Sequence, residues 1–159
     1  MKVTCALAML GLSCGMALAD EDAAFVSGTW TGTGVLQMED RIDACSEVQM
    51  RFAGTATSYR FLGASLTCGG KHQDIPDAGS YEIRPGGQIH FRDVKVGLVG
   101  NGRIHIDNPV AVANGMSDDY TVIRRGDVLI FAETMARPAT TPWFSFVSIM
   151  KKDPGPAGR

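Results

Sequence analysis

The residues able to do chemistry in this chain are few and scattered. His72, Asp74 and Asp77 share the stretch GGKHQDIPDAG and could offer nitrogen and oxygen ligands to a cation. Three glycines and a proline in that stretch instead predict an exposed polar loop from Gly69 to Gly79. His90 and His105 each fall on the polar phase of an alternating segment. Both are expected on outer strand faces, with His105 opposite Gly97 and not opposite His90. Asp118-Asp119 is an acidic pair that reads as the start of a strand. Gly32-Thr33-Gly34 is a fragment of a phosphate-cradling loop, but it lies inside a strand pattern and opens no helix. Arg125-Gly126-Asp127 spells the cell-adhesion tripeptide and reads as ordinary turn chemistry. No nucleophile elbow, Walker loop, zinc signature or dinucleotide fingerprint occurs. The expectation is a protein that is not an enzyme, with no catalytic group, cofactor or metal.

The four cysteines divide into two sets. Cys5 and Cys14 lie in an N-terminal segment that reads as a signal peptide, residues 1–19. Lys2 is its charged start, Val3 to Met16 is apolar or small, and Ala17-Leu18-Ala19 offers a small-x-small cleavage site before Asp20. The apolar run is shorter than the ~20 residues of a membrane span. A lipid anchor on Cys14 is the competing reading, disfavoured by glycine at position 11, where a large aliphatic is usual. Export to the periplasm or beyond leaves Cys45 and Cys68 in an oxidising space, where one intrachain bond is expected.

Removing the signal from 159 residues leaves about 140, a single-domain length. The net charge of −2 argues against nucleic acid as a partner. No later stretch is long and apolar enough for a transmembrane segment.

The elements that must carry these residues are short and β-rich. No helical period persists, and alternating runs are separated by glycine, proline and asparagine. Phe25 to Met38 reads as the first strand, with Trp30 plugging one end of a core. Glu39 to Asp43 is a charged connection. Cys45–Ala53 and Tyr59–Cys68 form a hairpin turning at Ala56-Thr57, which sets Cys45 opposite Cys68 and Phe52 opposite Phe61. That register also places Leu62 and Leu66 on the face of Glu47 and Arg51, a conflict that a bulge or one-residue slip would repair. Bridging the two cysteines would stabilise by about 3 kcal/mol in the chain-entropy picture. Ser80–Arg84 and Gln88–Arg92 follow, joined by Pro85-Gly86-Gly87. Asp93–Leu98 and Arg103–Asn108 pair around Gly100-Asn101-Gly102. A two-residue Asn-Gly turn is the default there, but it mixes faces; packing favours a three-residue loop that sets Leu98 against Ile104. A bulge is expected near Arg92-Asp93, and Pro109 to Ser117 is irregular. Tyr120–Arg124 and Val128–Met135 make a further hairpin, and Arg137 to Pro142 is a turn. Trp143–Lys151, apolar on both faces, would seal the structure. Residues 153–159 form a disordered tail. Together these predict an all-β domain over residues 20–152, a single antiparallel meander barrel of eight or nine strands.

Gly28-Thr29-Trp30 resembles the Gly-x-Trp opening of lipocalin and avidin-like barrels, the calycin group. Asp119-Tyr120 is similar to part of a second lipocalin signature. The resemblance implies a tryptophan closing one barrel end, with a late cation, Arg137 or Lys151, packed across it. Gly28-x-Trp30-x-Gly32-x-Gly34 is also similar to the opening of nitrobindin-type haem barrels, but no histidine reads as inward to hold iron.

Three functions follow as expectations. The first is a binding module for a small apolar ligand lined by Trp30, Met50, Phe52, Phe61, Tyr81, Phe91 and Trp143, residues that could equally fill a core. The second, implied by the avidin-like resemblance, is an inhibitor of secreted proteases, with Asp20 to Ala24 as a free inserting segment. The third is a structural envelope protein without a ligand site.

Overall fold

The computed structural model describes residues 22–108, 115–137 and 142–154. The expected signal segment with Cys14, residues 109–114 of the irregular stretch, 138–141 of the late turn and the tail from 155 onward lie outside these residues. Eleven antiparallel strands run β1 (Gly28–Met38), β2 (Arg41–Gly54), β3 (Ser58–Cys68), β4 (Lys71–Ile75), β5 (Gly79–Arg84), β6 (Gln88–Phe91), β7 (Val94–Gly100), β8 (Arg103–Asp107), β9 (Ser117–Arg125), β10 (Val128–Ala136) and β11 (Phe144–Lys152). Each pairs with its neighbours in one sheet, and the β2–β3 pairing closes it into a ring. The fold is therefore all-β and barrel-like, with more strands than the eight or nine expected.

β4 is the strand that composition concealed. Its residues Lys71 to Asp74 are exposed on both faces, so no alternation marks it. It pairs with Ala64 to Cys68, while β5 pairs with Ser58 to Phe61, so both lie along one edge of β3. The stretch expected as a loop is thus half strand.

Phe25 does not begin the first strand. Asp22 accepts a hydrogen bond from the Ala24 amide and caps a 3-10 turn over Ala23–Val26, and Gly28, at φ 121°, starts β1. The turn is fastened to the barrel end. The Ala23 amide donates to the Thr55 carbonyl at 3.2 Å, and Ser27 Oγ exchanges hydrogen bonds with the Gly54 backbone. Trp30 is 1 % exposed, and its Nε1–H donates to the Val26 carbonyl at 2.6 Å. It stoppers this end as expected.

The β2–β3 hairpin keeps the expected pairs, Cys45 with Cys68 and Phe52 with Phe61. Two register shifts, between Cys45 and Glu47 and between Arg51 and Phe52, resolve the face conflict by bringing Leu66 opposite Val48. The Cys45–Cys68 disulfide is formed and buried. The β1–β2 turn is Glu39-Asp40, and β2 begins at Arg41, inside the expected connection.

Two other expectations are corrected. The β7–β8 turn is the two-residue Asn101-Gly102, both at positive φ, and Leu98 faces His105 on the outside, 49 % exposed. Turn chemistry prevailed over side-chain packing because the hand of an Asn-Gly turn matches the strand twist. Arg92-Asp93 is not a bulge but the two-residue β6–β7 turn, also at positive φ; the irregularity lies beyond it, where Ile89 faces Gly97 and His90 faces Lys95.

The inner surface changes character from end to end. Near Trp30 the inward residues are fully buried: Met50, Phe52, Leu129 and Met150. Rings meet inside, Phe52 and Phe131 across the lumen at 6.5 Å and Phe131 and Phe146 on the adjacent strands β10 and β11 at 6.1 Å. Toward the opposite end the inward residues Leu36, Glu133, Met135 and Phe144 are only partly buried. On the outside, Val147 and Ile149 of β11 stay about half exposed, at 47 % and 59 %. Among the described residues no helix is long and apolar enough to cross a membrane.

Candidate functional site

Alternation along β9 and β10 sends Asp118, Tyr120, Val122, Leu129, Phe131 and Glu133 inward. Glu133 pairs with Tyr120 across the ladder and Met135 with Asp118, so Asp118 and Glu133 are diagonal neighbours inside the barrel. Asp118 is 4 % exposed. Asn108 holds one of its carboxylate oxygens, Nδ2 to Oδ2 at 2.7 Å, and the Asn108 amide donates to the Asp118 carbonyl. Its carboxyl also shares a hydrogen bond with that of Glu133.

Electrostatics at this pair follow from burial. Glu133 is pushed up to about 8, first by loss of water and then by the charge of Asp118 beside it. Asp118 is raised too, by burial, against the opposing pull of the Asn108 hydrogen bond. Near neutral pH Glu133 therefore retains its proton. Tyr59, Tyr81 and Tyr120 face the same region, and burial raises all three phenols, so they remain neutral donors. Their hydroxyls face one another, yet neither the Tyr59 nor the Tyr120 oxygen completes a hydrogen bond of normal geometry. Ser148 Oγ, buried on β11, and Trp143 Nε1 are likewise unpaired.

Of the aromatic set expected to line a ligand site, Phe52 and Phe61 touch at 5.5 Å, and Tyr59 links Phe52 to Tyr81, which meets Phe91 at 5.6 Å. Met50 and Trp30 lie at the stoppered end, and Trp143 sits at the other, beside Phe144. The structure brings the first group together and leaves Trp143 apart. Sequence reasoning missed Glu133 and left Asp118 as a strand opener. The signal was parity: Glu133 shares its phase with Leu129 and Phe131, and Asp118 with Tyr120.

The cation across the stopper is Lys152, its Nζ 5.9 Å from the Trp30 ring centre, directly opposite Trp30 in the β1–β11 register. Lys151, one residue earlier, points outward to Asp127, and Arg137 follows β10 at the far end, so neither expected cation fills this place.

Other polar groups lie outside the barrel. His72 is 3.5 Å from Asp74, and Asp77 pairs with Arg60. His105, Asp107 and Asp119 bring three potential ligand atoms within 4.8 Å of one another on the outer face of β8 and β9, with Asp119 pushed up to about 6 by sharing a hydrogen bond with Asp107. His90 opposes Lys95 and lies in an open cleft of about 410 Å³ with Arg92, Asp93 and Glu82. A second outer cleft of about 310 Å³ crosses β1, β2 and β3 at Thr31, Glu47 and Ser65. Gly32 and Gly34 hold no anion loop. A Cβ at either would stand 2.1 or 2.7 Å from a β11 carbonyl, so they exist to let β11 close against β1. From Asp22 on, the N-terminal segment expected to be free is bound into the barrel end, with Ala23 fully buried, while Asp20 and Glu21 lie outside the described residues.

No family model matches the chain, and no curated protein does.

Proposed function

We propose that the mature chain is an exported, non-catalytic calycin-like barrel that binds a small, largely apolar molecule through the end opposite Trp30. One observation carries the reading: among the described residues the buried inward oxygens of Tyr59, Tyr120 and Ser148 complete no hydrogen bond of normal geometry, in a fold whose ladders are otherwise paired. Each such group costs about 1–3 kcal/mol when left unsatisfied, and a bound molecule can offset that cost. The partly buried Leu36, Met135 and Phe144 at the same end offer an apolar seat. A protease-inhibitor role has less support, because the segment that would insert is fastened down from Asp22 onward.

Native mass spectrometry of protein purified from its own host tests the reading. The expected result is a population heavier than the disulfide-bonded chain by a few hundred daltons, released by organic solvent. A bare mass, together with no enhancement of a solvatochromic apolar dye, would overturn it.

A further inference from the structure

The barrel buries one apolar surface and leaves another uncovered. Along β11, Phe146, Ser148 and Met150 turn inward, so Val147 and Ile149 turn out. The ladders set apolar partners beside them on that outer face. Val147 lies between Val35 of β1 and Ala132 of β10, and Ile149 opposes Ile130, which opposes Ile123 of β9. Val35, Val147 and Ile149 all stay about half exposed. A lone exposed apolar residue is ordinary, but a contiguous band crossing four strands marks a surface that meets something apolar. Charge is sorted at the two ends of this band. At one end Arg125 and Lys151 flank Val128 in a single row, with Arg103 one row nearer the band. At the other end Asp107 and Asp119 stand opposite each other on β8 and β9. Among the described residues neither Arg103 nor Arg125 makes an ion pair. The two acids crowd each other, and the hydrogen bond they share pushes Asp119 up to about 6.

We propose that this outer face of β1, β11, β10 and β9 is a dimer interface, covered by a second copy of the same chain packed sheet on sheet. A two-fold contact requires a patch that complements itself. An axis lying between the two faces and perpendicular to the strands reverses strand direction from one copy to the other. It sets Ile149 of one copy over Val147 of the other, Arg125 over Asp119, and Arg103 within reach of Asp107. Each pairing forms twice. An axis along the strands would instead lay basic row on basic row, which repulsion disfavours. Four strand spacings from β8 to β1 cover about 19 Å, and the run from Ser145 to Lys151 about 20 Å, so with its side chains the face offers on the order of 600 Å² per copy. The pair then buries about 1,200 Å², the lower end for specific complexes, which suits a reversible dimer of micromolar affinity. A lipid surface would match the apolar band but leave the two ends of opposite charge without partners. The proposal does not depend on any molecule inside the barrel.

Sedimentation velocity of the oxidised mature protein from about 1 to about 200 μM tests it, with a mean mass expected to rise toward twice that of the chain. Ile149→Glu, its fold checked by circular dichroism, is expected to raise the dissociation constant of the dimer at least about tenfold. Arg125→Asp and Asp119→Arg should each weaken self-association by about the same factor. An equimolar mixture of those two variants should dimerise about as tightly as the parent, because each altered charge meets its opposite in the other copy. A parent that stays monomeric at the highest concentration, or a dimer that Ile149→Glu leaves intact, would overturn the interface. Recovery of a monomeric parent on vesicles of neutral lipid would overturn it too, by assigning the face to a membrane. A mixture that associates no better than either variant alone would overturn the two-fold arrangement.

Discussion

Glu133 holds its proton well above its ordinary value near 4.5, and this has a measurable sign. Between about 4.5 and 8 the folded chain keeps a proton that the unfolded chain has released. Stability must therefore fall as pH rises through that window and level off above it. Glu133→Gln is expected to remove this fall and to raise stability at pH 9 by on the order of 2 kcal/mol, less than the full shift would give because the group is partly hydrated. Urea denaturation midpoints of both proteins at pH 5, 7 and 9 check it; parallel profiles would show that Glu133 is ionised in the fold. The residue was legible in principle. Its phase is that of Leu129 and Phe131, but a charged side chain in an alternating run is ordinarily assigned to water. What the phase could not reveal is that an acid from the neighbouring strand lies diagonally beside it.

Strands were easier to read than their joints. Alternation in β2 identified which residues face inward, whereas the last strand read as apolar on both faces, and the opposed cysteines followed from one assumed turn. Joints failed where two local preferences competed. At Asn101-Gly102 the backbone hand of the turn outweighed the exposure of Leu98, a loss limited by Leu98 being only about half exposed. β4 failed for another reason: an edge segment wet on both faces has no pattern to detect. The seam between β1 and β11 shows how closely elements depend on residue size. A Cβ at position 32 would lie 2.1 Å from the Ile149 carbonyl oxygen, which is backbone and cannot swing aside. Gly32→Ala should therefore lower stability by about 1–3 kcal/mol. Chemical denaturation checks it, and a variant as stable as the parent would mean that the seam has slack.

At the scale of the molecule, the ring is held at two places far apart in sequence, the β1–β11 seam and the Cys45–Cys68 bond. The bond spans 23 positions, and removing it with a Cys45→Ala, Cys68→Ala pair should cost about 3 kcal/mol, read as a lower urea midpoint. Thiol titration of the unreduced parent should find no reactive group at either position; two would refute the bond. Overall class was legible because turn residues recur at short intervals, whereas the strand count and the ring's closure depend on partners too distant for any local pattern to encode.

The seam joins the first strand to the last, β1 to β11. A ribosome must therefore release nearly the whole chain before the circle can shut, and until then the polypeptide remains an open, threadable ribbon. The proposed export needs that form for passage through a translocation channel, and this order of strands would postpone closure until the passage is complete.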